Sequence, residues 1–336
     1  MKFAVVGAGS IGGYLGARLA LAGEEVTFIA RRANLEAIRA YGMKLIEEDG
    51  TERIAREVRA TQSTLEAGAQ DVVLLAVKAH QVSDVAKDLR PLFGPETVVV
   101  TLQNGIPWWY FYKHGGEFEG RSVRSVDPDG VAAASIENER IIGCVVYPAA
   151  ELIAPGVVKV VEGNRFPIGE PDGSESPRAR KVSDALTRAD LKSPILADIR
   201  SEIWLKLWGN LTFNPISALT HATLVDICQF PLGRDLAAAM MSEAQAVAEK
   251  LNIRFRVSLE KRIAGAEKVG KHKTSMLQDI EHGRAIELEA LVGSVVEMGR
   301  LTGTPTPHID AVYACAALLA KTLAEEKGRL RVQPVG

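Results

Sequence analysis

The first thirteen residues of the chain, 1–13, read MKFAVVGAGSIGG and decide the fold. The apolar residues 1–6 predict a buried parallel strand, and a helical pattern follows the glycines. Gly7, Gly9 and Gly12 form the pattern GxGxxG at this junction. Such glycines allow a tight turn, close approach of a pyrophosphate to the backbone and close helix–strand packing. The stretch therefore predicts a dinucleotide site, with the pyrophosphate at the N-terminus of the helix.

The glycine loop supplies the first candidate ligand contacts. We expect the cofactor to be bound by Gly7, Ala8, Gly9, Ser10, Ile11 and Gly12. A helix closed by Gly23 and a second apolar strand, residues 25–29, follow in the order that a Rossmann-type domain requires. The alternative is a glycine-rich turn that binds no ligand.

The residues after the second strand indicate which dinucleotide binds. A site for NAD usually has Asp or Glu here, which binds the 2′-hydroxyl of the ribose. This chain has Ala30, Arg31 and Arg32 instead. Because a guanidinium can bind a phosphate through two hydrogen bonds, we expect NADP(H), with Arg31 at its 2′-phosphate. Alternatively, the arginines are solvated residues that open a helix over residues 33–41.

The length of the chain predicts two domains, because 336 residues exceed the size at which one core usually divides. Strand and helix patterns alternate in the first half, and long helical patterns follow Asp198. We predict an α/β fold with an N-terminal Rossmann-type dinucleotide-binding domain, residues 1–197. An all-helical C-terminal domain for substrate and catalysis follows, residues 198–330, and within it one helix is predicted over residues 275–300.

Charge and cysteine content limit the class of partner and the compartment. A formal net charge of −2 and a pI of about 6.4 give no indication of nucleic acid or of an anionic membrane as partner. No apolar run has transmembrane length, and the three cysteines are widely spaced, as reduced thiols are. Because the chain opens with the predicted strand, we expect no signal peptide and a cytoplasmic location. No metal site is predicted.

Two polar residues follow apolar strands of the first half. Lys78 follows the strand predicted at residues 71–77, and Asn104 follows the strand at residues 97–102. Ligands bind beyond the carboxyl ends of such strands, so Lys78 could neutralise phosphate charge and Asn104 could bind near the nicotinamide. The alternatives are a solvated helix start for Lys78 and a turn residue before Gly105 for Asn104.

The helical half begins with a polar stripe on an apolar helix. Lys206, Asn210 and Asn214 are four residues apart and therefore share one helix face, among Trp, Leu, Ile and Phe neighbours. Unpaired burial of three such groups would be costly, so the stripe faces water or lines a polar cleft, and the apolar surroundings favour the cleft. Pro215 is expected to kink this helix.

Two further candidates lie on the helix predicted at residues 275–300. Ser275 and Gln278 have the spacing of a capping box, which is a structural role, although a hydroxyl at a helix N-terminus also suits a carboxylate. Glu287 is the second candidate, and its alternative is a solvated residue paired with Arg284.

An aromatic run, residues 108–112 (WWYFY), interrupts the α/β pattern behind Asn104. A long segment of this kind is usually functional or disordered, and five aromatic residues argue against disorder. Three interpretations stay open: a covered surface excursion, a dimer contact and a lid over the site.

Together these motifs resemble those of the ketopantoate reductase family over nearly the whole chain. The motifs are the glycine loop, Val77-Lys78-Ala79, Asn104-Gly105, Lys206/Asn210/Asn214-Pro215, and Ser275-Met276-Leu277-Gln278-Asp279 with Glu287. The resemblance implies a Rossmann domain, a helical domain and NADPH-dependent reduction of 2-dehydropantoate (ketopantoate) to pantoate in pantothenate biosynthesis.

The resemblance also implies a role for each candidate. Lys206 would be the proton donor. Substrate would be bound by Asn104, Asn210, Asn214 and Ser275. Cofactor would be bound, beyond the glycine loop, by Arg31, Lys78, Asn104 and Glu287.

This sequence departs from the ketopantoate reductase pattern at three places, and these departures leave alternative functions open. The aromatic insertion is longer than usual, His272 stands where some members have Asn, and a further substrate-side Asn is missing from residues 220–224. The alternatives are a related NADP-dependent reductase of another 2-oxo or 3-oxo acid and a non-catalytic NADPH-binding sensor. A homodimer is a further expectation.

Overall fold

The computed structural model describes residues 1–333. The strands are β1 (Lys2–Val6), β2 (Glu25–Ile29), β3 (Met43–Ile46), β4 (Glu52–Ala55), β5 (Val58–Thr61), β6 (Gln70–Leu75), β7 (Phe93–Thr101), β8 (Ile141–Cys144), β9 (Ala149–Ala154), β10 (Val157–Glu162) and β11 (Ile168–Gly169). The α-helices are α1 (Ser10–Leu21), α2 (Arg32–Tyr41), α3 (Thr64–Ala67), α4 (Val82–Ala86), α5 (Val131–Ser135), α6 (Pro177–Arg188), α7 (Ile199–Thr220), α8 (Leu224–Gln229), α9 (Pro231–Lys250), α10 (Leu259–Lys268), α11 (Ser275–Glu281), α12 (Ser294–Thr302) and α13 (Pro307–Glu325). A π-turn, Glu289–Gly293, leads directly into α12.

The main sheet has seven strands in the order β11-β8-β7-β6-β1-β2-β5. Its neighbouring strands run parallel except β8 and β11. The strand order reverses at β1, which pairs with β2 on one side and β6 on the other. Ligands of such sheets bind at this switch point, and the glycine loop follows β1 there. The predicted Rossmann-type α/β fold is confirmed.

A second sheet, β4-β3-β10-β9, packs on the other side of α1. Two glycines of α1 let the helix lie close to both sheets, Gly13 to the second sheet and Gly16 to the main sheet. A Cβ on Gly13 would lie 2.7 Å from Val158 Cγ2 of β10, and one on Gly16 would lie 2.4 Å from Phe28 Cε1 of β2. Of this sheet, the sequence indicated only the strand that begins at Val157.

The chain divides into two compact units, and the division is not a single cut. The first unit comprises Met1–Gln103, Pro107–Ser122 and Asp127–Ile199. The second comprises Asn104–Ile106, Val123–Val126 and the chain from Arg200 onward. Two short segments on either side of the aromatic excursion therefore belong with the helices. The domain limits 1–197 and 198–330 stay a prediction.

The second unit is helical in its main part, as predicted. The prediction of one continuous helix over residues 275–300 is wrong. The chain instead forms α11, leaves it at Gly283 with φ +65°, and begins a new helix only at Leu288. Glycine adopts this left-handed backbone without a Cβ clash, so the apolar pattern continues across a real break. Ser275 and Glu287 consequently lie on different elements.

Candidate functional site

The glycine loop has the geometry that a pyrophosphate site requires. Gly7 has φ +99°, and a Cβ there would lie 2.8 Å from Val77 Cγ1. A Cβ on Gly12 would lie 2.0 Å from the carbonyl oxygen of Gly7, so only glycine permits this approach of helix and loop. Gly9 precedes α1, no side chain caps the helix, and no atom lies within 4 Å of its ideal Cβ. The loop is therefore open where its N–H groups could bind an anion.

A side chain that the sequence analysis missed fixes this loop. Asn34 Nδ2 donates to the carbonyl oxygen of Ala8 at 2.5 Å, and Asn34 Oδ1 accepts from the N–H of Gly156 at 2.7 Å. The amide thus links the glycine loop to the turn between β9 and β10. No motif marks Asn34, because the contact depends on a sheet that the sequence did not reveal.

The two arginines after β2 are exposed at the start of α2. Arg31 is the extended residue that precedes the helix, and no acidic residue occupies the first helical turn. Arg32 has φ +53°, a left-handed conformation that costs about 1–3 kcal/mol in a non-glycine residue and is common at ligand sites. Both guanidinium groups are therefore accessible beside a helix N-terminus.

The loop after β6 carries Lys78, which is half-buried. Gln103, at the end of the neighbouring strand β7, donates from Nε2 to the carbonyl oxygens of Leu75 (2.8 Å) and Val77 (3.0 Å). These two bonds hold the carboxyl ends of β6 and β7 together. Gln103 is a second supporting residue that the sequence analysis did not single out.

In the helical unit, the structure brings Lys206 and Asn104 together. Lys206 Nζ donates to Asn104 Oδ1 at 2.6 Å, a short hydrogen bond from a charged donor. Both side chains are half-buried, whereas Trp204 and Trp208 on the same helix are fully buried. The ammonium is thus held at a fixed place on α7.

Asn210 and Asn214 continue this face of α7, the first half-buried and the second 5% exposed. Asn214 Nδ2 lies 3.4 Å from Ser275 Oγ, which is long for a hydrogen bond. The predicted capping box of Ser275 is wrong, because Thr274 caps α11 and accepts from the N–H of Leu277. Ser275 is the first helical residue, so its hydroxyl is directed to Asn214 instead of to the helix end.

Glu287 directly precedes the helix that contains the π-turn, and its carbonyl oxygen accepts from the N–H of Leu291 at 3.3 Å. Arg284, the partner in the alternative interpretation of Glu287, forms an ion pair with Asp279 at 3.0 Å. Two residues on, burial raises the pKa of Glu289, and the hydroxyl of Tyr313 donates to its carboxylate. Burial and this carboxylate raise the pKa of Tyr313 to about 12.

The aromatic excursion is packed into the first unit. Residues 108–111 are buried, and Trp109 Nε1 donates to Thr101 Oγ1 at 3.1 Å. Trp109 also fills the space beside Gly143, where a Cβ would lie 2.7 Å from its ring. A lid made of these rings does not fit this burial, so a covered excursion is the best description.

Two classes of feature are missing from residues 1–333. No group of three His, Cys, Asp or Glu side chains in this range could hold a metal ion. No helix in the same range is both long and apolar enough to cross a lipid bilayer.

A glycine loop at the switch point of a Rossmann-type sheet, in a chain whose second unit is helical, defines the class of dinucleotide-binding oxidoreductases. Comparison with family models narrows this class. Residues 3–173 match the model described as ketopantoate reductase PanE/ApbA, and residues 198–320 match the model of its C-terminal domain. The chain belongs to the ketopantoate reductase family.

Individual relatives agree with this assignment. A 2-dehydropantoate 2-reductase of Mesorhizobium japonicum is 52% identical over 329 residues, which cover 98% of this chain and 99% of the relative. A solved structure of a proposed ketopantoate reductase from Ralstonia solanacearum is 41% identical, covers 96% of this chain and 98% of its own, and has a TM-score of 0.91. The structure of 2-dehydropantoate 2-reductase from Methylococcus capsulatus is 27% identical over 96% of this chain and 98% of its own, with a TM-score of 0.81.

Proposed function

We propose that this oxidoreductase uses NADPH to reduce 2-dehydropantoate to pantoate, a step of pantothenate biosynthesis. The observation that carries the proposal is the 2.6 Å hydrogen bond between Lys206 Nζ and Asn104 Oδ1. It fixes an ammonium group on the polar face of an otherwise apolar helix, which is what a proton donor to a ketone requires. We choose 2-dehydropantoate as the substrate because the relative at 52% identity is a 2-dehydropantoate 2-reductase.

Each candidate residue has a role in this reaction. When bound, the reduced nicotinamide supplies the hydride that adds to the ketone carbon. Lys206 polarises the ketone oxygen and donates the proton that completes the alcohol. Asn104, Asn210, Asn214 and Ser275 bind and orient the carboxylate and hydroxyl groups of the substrate.

Different residues bind the pyrophosphate, the 2′-phosphate and the nicotinamide of the cofactor. The backbone of the glycine loop, residues 7–12, binds the pyrophosphate, and Lys78 neutralises phosphate charge. Arg31 binds the 2′-phosphate, and its accessible position at a helix start without an acidic neighbour supports NADP(H) over NAD(H). Asn104 and Glu287 bind near the nicotinamide.

A second candidate function is reduction of another 2-oxo or 3-oxo acid with NADPH. Two observations favour it: His272 stands where some family members have Asn, and the packed excursion around Trp109 lengthens the segment behind Asn104. A non-catalytic NADPH sensor is the third possibility, and the fixed Lys206 argues against it, because a sensor needs no proton donor.

Oxidation of NADPH against a panel of keto acids separates these functions. We expect the highest kcat/KM with 2-dehydropantoate. A different acid as best substrate would establish the second candidate, and tight NADPH binding without oxidation in the presence of any acid of the panel would establish the sensor.

We also propose a homodimer. Phe230, Leu232 and Leu318 of the helical unit are large apolar side chains that are more than half exposed, and a second copy of the chain could cover them. Light scattering should give twice the chain mass of 36.2 kDa. A mass of one chain at micromolar concentration would contradict the dimer.

A further inference from the structure

The π-turn at residues 289–293 is the feature of the helical unit that the proposed roles leave unexplained. A π-turn holds one residue more than the corresponding α-helical turn, and such turns are frequent at functional sites. Here the N–H of Ser294 donates to the carbonyl oxygen of Glu289, five residues back. In an α-helix the same N–H would bind Ala290, so the π-turn frees the carbonyl oxygen of Ala290.

The freed carbonyl oxygen of Ala290 receives two other donors. The N–H of Ile106 donates to it at 2.9 Å, and the hydroxyl of Ser294 donates to it at 2.8 Å. Ile106 is 1% exposed and Ser294 is fully buried, so neither bond competes strongly with water. The π-turn therefore binds the short segment 104–106, which follows β7 in the chain and belongs to the second unit.

Gly105 shows how close this contact is. Its φ is +87°, and a Cβ there would lie 2.1 Å from the oxygen of Ala290 and 2.5 Å from the carbonyl carbon. Both atoms belong to the backbone, which cannot move aside as a flexible side chain can. A side chain at position 105 would push the segment away from the π-turn, and Asn104 with it.

We propose that the π-turn and Gly105 form a positioning device that sets Asn104 against Lys206. The proposal rests on the proposed function, in which this pair lies at the reacting ketone. Asn104 Oδ1 accepts from Lys206 Nζ at 2.6 Å, and Ile106, two residues further on, donates to the carbonyl oxygen of Ala290. Gly105 and Ser294 act through Asn104 and touch neither substrate nor cofactor in this role.

The test compares Gly105→Ala with Gly303→Ala. Gly303 ends α12 with φ +66° and has no atom within 4 Å of its ideal Cβ, so this control introduces backbone strain without a collision. Because a displacement of about 1 Å can cost about 100-fold in rate, Gly105→Ala should lower kcat by about that factor and leave the Kd for NADPH within about threefold. Gly303→Ala should keep kcat.

A double-mutant cycle tells positioning from general damage. If Gly105 acts through Asn104, then Gly105→Ala should cost little further kcat once Asn104→Ala is present, since coupled residues are not additive. Equal losses of kcat in both backgrounds, or an equal loss in Gly303→Ala, would overturn the proposal.

Ser294→Ala serves if Gly105→Ala does not fold. It removes one of the two donors to Ala290 and should lower kcat about fivefold. The control is Ser242→Ala on α9, whose exposed hydroxyl makes a similar bond to the carbonyl oxygen of Ala238 at 2.9 Å. Similar kcat values for both serine variants would contradict the proposal.

A crystal structure of Gly105→Ala, or of Ser294→Ala where only that variant folds, tests the device without activity. An unchanged distance between Lys206 Nζ and Asn104 Oδ1 would refute it, whereas a lengthened distance would support it. A wild-type enzyme that reduces no keto acid would instead refute the proposed function, and the crystallographic result would still decide on the device.

Discussion

Replacement of Lys206 by Met is the most direct test of the proposed chemistry. Met keeps most of the volume and the unbranched shape of Lys206 but has no charge and no acidic proton to donate. General acid catalysis contributes about 100- to 10,000-fold in rate, so Lys206→Met should lower kcat by at least about 100-fold. The Kd for NADPH should stay within about threefold, because in the proposed function the glycine loop and Arg31 bind the phosphates.

The structure also predicts how KM responds. Lys206 donates a 2.6 Å bond to Asn104, so its removal leaves Asn104 Oδ1 without that donor and loosens a residue that we propose binds substrate. We expect a rise in KM for the keto acid that is small beside the loss of kcat. An interaction made mainly in the transition state lowers kcat and kcat/KM together.

The assay is NADPH oxidation under steady state, with NADPH binding measured separately by fluorescence. The matched control is Lys268→Met, which removes an exposed lysine from α10 of the same unit. If Lys206→Met retains more than about a third of the wild-type kcat while the control is unchanged, then Lys206 is a structural lysine and the mechanism is wrong.

Three further predictions address the cofactor and the packing of the excursion. Arg31→Ala should raise the Kd for NADPH about tenfold or more and leave the Kd for NADH nearly unchanged, because a hydrogen bond to a charged group contributes about 1.5–3 kcal/mol. Equal affinity of the wild type for NADPH and NADH would contradict the role of Arg31. Asn34→Ala should weaken NADPH and NADH alike, because it frees the glycine loop and makes no distinction at the 2′-position; an effect on NADPH alone would disprove the positioning role. Glu297→Gln should lower the free energy of unfolding, measured in urea, by about 1–2 kcal/mol, because the half-buried carboxylate of Glu297 accepts from two N–H groups and a hydroxyl of residues 124–125. A loss of stability no larger than that of the surface control Glu325→Gln would contradict this prediction.

The sequence was sufficient for the dinucleotide-binding core of the first unit because the signals of that core are local. The GxGxxG pattern and the apolar strand before it lie within thirteen residues, and Gly7 and Gly12 each meet a steric demand there, as the 2.0 Å approach at Gly12 shows. The amide of Asn34 is different, since it binds a turn that is more than a hundred residues away in the chain. Contacts over such separations leave no periodic trace in one sequence.

In the helical unit, the sequence identified residues with suitable chemistry but placed Ser275 and Glu287 on one helix, although they lie on different elements. Apolar periodicity predicts a helix wherever the pattern persists, and it persists across the left-handed Gly283. A π-turn adds one residue to a helical turn, and the helix face before and after it stays apolar. Apolar periodicity therefore does not reveal the extra residue.

These interruptions are where the candidate site acquires its geometry. The break at Gly283 separates Ser275 from Glu287, so each can be positioned independently, and the π-turn supplies the carbonyl oxygen of Ala290 that binds the segment of Asn104. A straight helix over residues 275–300 would engage that oxygen in its own hydrogen bonding and leave it a poorer acceptor for Ile106. The same sequence with an ideal helix would therefore keep the residues of the site but weaken the contact that holds the segment of Asn104.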